Sequence, residues 1–176
     1  MKIKKKYGIV FWITGISGSG KSMLSKSIRS FIIKKFGPTI ILSGDNLRRI
    51  FKLNKYDKES RLENGKNFSN FLKIIIANKI NVLFSVVGLF HKLHKFNRKN
   101  LKNYIEILIK ADFKKAEKRK KKYFYKKGIV NVWGRDIKPE LPKKPHIIIK
   151  NDFKKKKNFL SEELIKKIKN LNIEFI

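Results

Sequence analysis

The apolar residues of this chain follow two alternating rhythms. Short, nearly continuous runs recur at Gly8–Thr14, Thr39–Leu42, Ile80–Val87, Tyr104–Ile109 and His146–Ile149, and read as strands buried on both faces. Between them, apolar residues fall three or four apart, the spacing of an amphipathic helix. Met23, Leu24, Ile28, Phe31 and Ile32 make such a face over 21–36, which Gly37-Pro38 ends. Phe68, Phe71, Leu72, Ile75 and Ile76 make another over 61–78. A basic helix is predicted over His91–Asn100, and a further one from Phe113, opened by Asp112, to about Lys122. Asp45 is placed to cap a short helix over Leu47–Phe51. Ser161-Glu162-Glu163 would cap a last helix carrying Leu164, Ile165, Ile168 and Leu171. Two stretches lack either rhythm. Lys52–Ser60 is polar and reads as mobile, and Tyr123–Pro145, with two Gly and three of the four Pro, reads as a loop or lid.

Strands alternating with helices predict an α/β fold, a parallel sheet covered on both sides. At 176 residues without internal repeat, the chain reads as one domain over 1–176, with a lid at about 119–145.

One turn in this pattern carries chemistry. Gly15-Ile16-Ser17-Gly18-Ser19-Gly20-Lys21-Ser22 fits the phosphate-loop pattern G-x-x-x-x-G-K-[ST] without mismatch, and lies between a predicted strand and a predicted helix. In that context successive backbone N–H groups and the positive end of a helix dipole surround one anion. Lys21 would reach the β- and γ-phosphates and the Ser22 hydroxyl would ligate Mg²⁺. The fold expectation sharpens to a P-loop NTPase three-layer sandwich with a mainly parallel five-stranded sheet, binding ATP and Mg²⁺.

Composition narrows the class. With no cysteine there are neither disulfides nor thiolate metal sites. His91 and His94 lie three apart on the basic helix without further His or Cys nearby, too few for zinc, and read as solvated surface. No signal-peptide pattern is visible and no apolar run approaches the ~18–20 residues of a membrane span, so a cytoplasmic enzyme is expected. Forty-five Lys and Arg against thirteen Asp and Glu give a net charge of +32. The excess is scattered along the chain without an aromatic-interleaved basic stripe, which argues against a nucleic-acid surface.

Ligands of open α/β sheets lie at the carboxyl ends of the strands. The second strand ends in Ser43-Gly44-Asp45-Asn46-Leu47-Arg48-Arg49, an acid followed by bases. The third ends at Val87-Gly88 without a carboxylate, which leaves Asp45 as the candidate base or orienter for an acceptor hydroxyl.

The phosphate loop, then Leu42–Arg48, then Arg61-Leu62-Glu63-Asn64, resembles adenylylsulfate kinase, with its L-D-G-D-N-x-R and R-x-E-N segments in this order. Arg119 to Lys127 resembles that family's basic lid, and Asn131-Val132-Trp133-Gly134-Arg135-Asp136 its N-F-x-G-x-D. The resemblance implies an ATP-dependent kinase acting on the 3′-hydroxyl of a 5′-modified nucleotide. It implies Asp45 as base, with Arg48, Arg61 and Asn64 on the acceptor nucleotide, and Tyr56 where the family stacks a Phe on the acceptor base. It also implies that Arg119 and Lys122 close over ATP, and that Val87, Val132 and Trp133 line the acceptor site.

The departures bear on the acceptor. Ser43 replaces the first Asp of D-G-D-N, Gly65 and Lys66 replace two Arg, and Val86–His91 replaces F-I-S-P-Y-R, with Gly88 at its serine. Phe90-His91 and Phe96–Asn100 resemble a divergent branch associated with bacterial capsule modification, whose acceptor is cytidine diphosphoramidate. The expected partner is a small nucleotide, with exposed apolar residues compatible with a homodimer. Two alternatives stay open on sequence: a nucleic-acid-stimulated P-loop ATPase or polynucleotide kinase, and a catalytically silent nucleotide-binding protein.

Overall fold

Strand β2 (Val10–Thr14) is buried at every position, and its alternation divides the interior in two. Val10 and Trp12 belong to one apolar cluster, Phe11 and Ile13 to another. The computed structural model describes residues 1–118 and 130–176. The other elements, in chain order, are β1 (Lys2–Ile3), α1 (Lys21–Phe36), β3 (Thr39–Ser43), α2 (Gly44–Ile50), α3 (Lys58–Ala77), β4 (Asn81–Val86), α4 (His91–Asn100), β5 (Tyr104–Ala111), α5 (Phe113–Lys118), β6 (Ile147–Asn151), α6 (Lys157–Lys169) and β7 (Glu174–Phe175).

The main sheet has the order β3-β4-β2-β5-β6 and every pairing in it is parallel, so "mainly parallel" becomes wholly parallel. Leu24, Ile28 and Ile32 of α1 and Leu160, Leu164 and Ile168 of α6 cover one face. Phe68, Leu72 and Ile76 of α3, with Leu93 of α4 and Leu47 of α2, cover the other. These are the three layers expected from strands apolar on both faces.

Four local expectations are corrected. Asp45 does not cap α2: Ser43 does, accepting a hydrogen bond from the Asn46 N–H at 3.1 Å. The polar stretch before α3 is partly helix, because Asp57 accepts from the Ser60 N–H at 2.8 Å and starts the helix at Lys58. Helix α6 begins four residues before its predicted cap. Ser161 lies one turn inside it, bonded to the Lys157 carbonyl and, at 2.7 Å, to Ser27 of α1. His94 is buried, 5% exposed, with Nε2 2.9 Å from the Gly88 carbonyl oxygen, whereas His91 stays exposed as expected.

A feature absent from the sequence reading is the parallel pairing of β1 with β7. Each is only two residues long, below any window in which periodicity is visible. Among the described residues no helix is long and apolar enough to cross a membrane.

Candidate active site

Gly15 to Ser22 leaves the carboxyl end of β2 and enters α1. Gly15 has φ +149°, and a Cβ there would stand 2.5 Å from the Ile109 carbonyl oxygen, so the chain can turn here only as glycine. The loop is tied to the far side of the sheet by Asn151, whose amide donates to the Ser19 carbonyl at 2.9 Å. The Lys21 ammonium arches back over the loop and donates to the carbonyls of Gly15 (2.9 Å) and Ile16 (2.8 Å). Neither an acidic residue in the first turn nor a capping side chain answers the N-terminus of α1, so its dipole is left for an anion. Ser17, Gly18 and Gly20 line the turn. The Ser19 hydroxyl is wholly buried and has no hydrogen-bond partner among the described residues, and the Ser19 N–H donates to the Ile16 carbonyl at 3.2 Å. Ser22 is exposed at the helix start, its Oγ 3.4 Å from that of Ser85 on β4.

The second group assembles from three distant parts of the chain. With Ser43 acting as the cap, Asp45 sits in the first turn of α2, 72% exposed, in an ion pair with Arg48 at 3.5 Å. The Arg48 and Arg61 guanidinium groups lie 5.6 and 5.4 Å from the centre of the Tyr56 ring, and Arg61 lies 5.9 Å from that of Trp133. Arg61 also donates through Nε to the Tyr56 carbonyl (2.6 Å) and through Nη2 to that of Asn131 (2.7 Å). Burial, and then the neighbouring Arg48, hold the Arg61 guanidinium below its ordinary pKa. Two guanidinium groups thus crowd one aromatic ring, Arg48 paired with Asp45 and Arg61 influenced by Asp57, and an anionic ligand would relieve their mutual repulsion.

Trp133 is buried and packs edge-on against Phe90, ring centres 4.8 Å apart. Val132 beside it is also buried, its N–H donating to Asp136 at 2.8 Å. That bond and the Arg135 guanidinium, the larger influence, hold the Asp136 carboxyl at about 2. Asn64, one turn from Arg61, is 8% exposed, and no hydrogen bond to its amide is found among the described residues. At the end of β4, the Val87 carbonyl accepts from the Thr14 hydroxyl. The loop carrying Trp133 is anchored again by Glu140, which accepts from the His91 N–H at 2.8 Å and faces Lys58 at 3.8 Å.

Of the residues singled out in sequence, the fold brings Asp45, Arg48, Tyr56, Arg61 and Trp133 into one cluster and Gly15–Ser22 into one loop. Arg119 and Lys122 lie outside the described residues. Sequence reasoning missed Ser85 and Asn151, and gave Asn131 a place in a motif without a role. The signal for Ser85 was a polar residue near the end of a nearly all-apolar strand. For Asn151 it was hidden because the strand was closed two residues early. Beneath α4 lies a further unforeseen network. Glu106, fully buried, pairs with Arg98 and accepts from the Tyr104 hydroxyl at 2.8 Å. Burial, then the Glu106 charge, push that hydroxyl well above its ordinary pKa.

A phosphate loop at the carboxyl end of β2, with an acid and a cation–aromatic cluster following the carboxyl end of β3 in the same parallel sheet, defines a P-loop phosphotransferase. The sequence profile of the adenylylsulphate kinase family matches residues 7–150, and the chain belongs to that family. It is 31% identical over 163 residues to a cytidine diphosphoramidate kinase of Campylobacter jejuni, covering 90% of this chain and 95% of that one. It is 33% identical over 156 residues to an adenylyl-sulfate kinase of Clostridium acetobutylicum, covering 84% and 77%. The fold matches the Mycobacterium tuberculosis APS kinase solved with AMPPNP and APS, with a TM-score of 0.82 at 23% identity over 93% of this chain and 98% of that one. The protein is therefore a kinase, a phosphotransferase whose acceptor group is an alcohol. Nothing in these relationships supports a nucleic-acid-stimulated ATPase.

Proposed function

We propose that this protein transfers the γ-phosphate of ATP to the 3′-hydroxyl of a 5′-modified nucleotide in the cytoplasm, with cytidine diphosphoramidate preferred over adenylylsulfate. The observation that carries the reading is the Arg48–Tyr56–Arg61 cluster beside Asp45. A base can stack on the ring, worth ~1–3 kcal/mol, while two guanidinium groups face an anionic 5′-substituent. Asp45, exposed and not used as a cap, would accept the proton of the 3′-hydroxyl or orient it. Lys21 would leave the loop carbonyls for the phosphates, and Arg119 and Lys122 would close over ATP. The buried Asn64 amide is read as an acceptor contact, with Val87, Val132 and Trp133 shaping the wall.

Ser22 fits a role in holding Mg²⁺, since its exposed hydroxyl lies at the start of α1. Bound with ATP, the ion would neutralise charge on the transferring phosphoryl group.

The preference for cytidine diphosphoramidate rests on the near full-length similarity to that kinase and on the altered pocket. A Cβ at Gly65 would stand 2.6 Å from Leu93 Cδ2. An arginine there, as adenylylsulfate kinases carry, would therefore require the Leu93 side chain of α4 to move. Exposed Ile50, Phe51 and Ile74 are compatible with a homodimer, which light scattering would reveal.

The test is a γ-phosphate transfer assay with both nucleotides side by side. Cytidine diphosphoramidate should give the higher kcat/KM and a 3′-phosphorylated product. ATP turnover stimulated by RNA or DNA, with neither nucleotide phosphorylated, would show the reading to be wrong.

A further inference from the structure

Strand β4 is buried at all six positions, and only Asn81 and Ser85 in it are polar. Asn81 is fully employed: its side chain accepts from the Ile9 N–H at 2.9 Å and donates to the carbonyls of Phe36 (2.9 Å) and Pro38 (3.0 Å). Ser85 is different. It is 4% exposed, and its hydroxyl meets one partner among the described residues, Ser22 Oγ of the phosphate loop at 3.4 Å. A hydroxyl in a dry strand is costly unless it is used.

Phosphate-loop enzymes share the metal between the loop Ser or Thr and a carboxylate from a neighbouring strand. Here β4 runs out through Ser85-Val86-Val87-Gly88 without a carboxylate. The strand register sets Ser85 between Ser43 of β3 and Ile13 of β2. Ile13 has no polar group to offer, and the Ser43 hydroxyl is committed to capping α2. Ser85 is thus the polar side chain of this row that faces Ser22.

A serine that ligates a cation must turn its own proton away from it, and that proton needs an acceptor. We infer that Ser85 is this acceptor, a positioning residue that holds the Ser22 hydroxyl with its lone pairs toward Mg²⁺. A neutral hydroxyl thereby stands where other phosphate-loop enzymes use a carboxylate. The present 3.4 Å is longer than the ~2.7–2.8 Å typical of O–H···O bonds, so the pair has room to shorten.

The inference rests on the kinase reading, and one titration separates the two. Binding of a non-hydrolysable ATP analogue is measured by calorimetry with and without Mg²⁺ for the wild type, Ser85→Ala and Ser85→Thr. The wild type should bind more tightly with Mg²⁺. Ser85→Ala should lose roughly tenfold or more of that gain, as removing a partner behind a metal ligand usually does, while its metal-free affinity stays unchanged. Ser85→Thr should restore the gain. If the wild type gains from Mg²⁺ and Ser85→Ala gains equally, Ser85 has no such role and the kinase reading stands. A Ser85→Ala loss of equal size with and without metal also overturns the inference, since it marks a structural residue. A wild type that ignores Mg²⁺ removes the Mg²⁺ role proposed for Ser22, and this inference with it.

Discussion

Arg61 and Asn131 stand 70 positions apart, yet the Arg61 guanidinium donates to the Asn131 carbonyl oxygen at 2.7 Å. Asn131 holds a left-handed backbone, φ +62°, which asparagine adopts more readily than most residues. The bond fastens α3 to the loop bearing Trp133, so one side chain builds the aromatic wall and, in the proposed function, would also offer charge to the acceptor. Replacing Arg61 with Lys keeps the charge but loses the planar fork. With hydrogen bonds to charged groups worth about 1.5–3 kcal/mol, kcat/KM for the acceptor should fall about 10- to 100-fold in Arg61→Lys. The KM for ATP should stay essentially unchanged. Steady-state kinetics varying each substrate in turn checks this.

Ser43 caps α2, and Asp45 is proposed to act on the acceptor hydroxyl. Ser43→Ala should lower stability by about 1 kcal/mol through loss of the α2 cap. Asp45→Ala should leave the thermal midpoint nearly unchanged but cut kcat by about 10²–10⁴-fold, the usual worth of a positioned base. Paired denaturation and transfer measurements on both variants decide it, and an active Asp45→Ala would refute its assigned role.

Lys21 tests the phosphate loop independently. Lys21→Ala removes the cation held over the Gly15 and Ile16 carbonyls. The circular dichroism spectrum should be preserved while kcat drops by about 10²–10³-fold, the scale of removing one transition-state donor.

Acid stability should show two separate windows. Burial is the main cause lowering the pKa of both His94 and His146 from the ordinary 6.5. For His94, Glu106 and the Gly88 hydrogen bond push it back upward, while His91 and Arg98 lower it further. Each folded-state histidine therefore resists protonation, and just below pH 6.5 the unfolded chain binds more protons. Their contribution is complete above about 6.5 and declines as pH falls toward the folded-state values. His94→Gln should flatten the fall in thermal midpoint between pH 7 and 5. Asp136, held at about 2, contributes above 3.8 and is lost only as pH falls toward 2, below the histidine window.

Arg98 compensates Glu106, which is fully buried in β5. Arg98→Ala strands that carboxylate with the Tyr104 hydroxyl alone. The cost should be about 3 kcal/mol, the low end for breaking a buried pair because Arg98 is itself 38% exposed. Adding Glu106→Gln should recover part of it, as urea denaturation of the single and double variants would show.

Much of this was legible in the one-dimensional pattern. Helix α1 falls where apolar spacing and Gly37-Pro38 place it, and α4 spans the basic stretch predicted as a helix, because those signals are local. The phosphate loop was legible for the same reason: its turn, its lysine and its serine are consecutive. Capping was misread where two candidates lay close together. Ser43 and Asp45 are both good caps, and the choice depends on where the backbone leaves the extended conformation, which composition does not record. His94 looked solvated because its neighbours are basic, yet the face of α4 that carries it packs inward.

By itself the sequence determined an α/β phosphate-loop enzyme, because binary patterning and a contiguous motif are carried by neighbouring residues. It also nominated Asp45, Arg48, Tyr56 and Arg61 through the resemblance they carry. Only the tertiary structure decided which of these meet. The parallel register set Ser85 behind Ser22, and helix packing brought Arg61 to Asn131 and Trp133. Such contacts join residues tens of positions apart, so they are created by strand order and layer packing and leave no local trace in the chain.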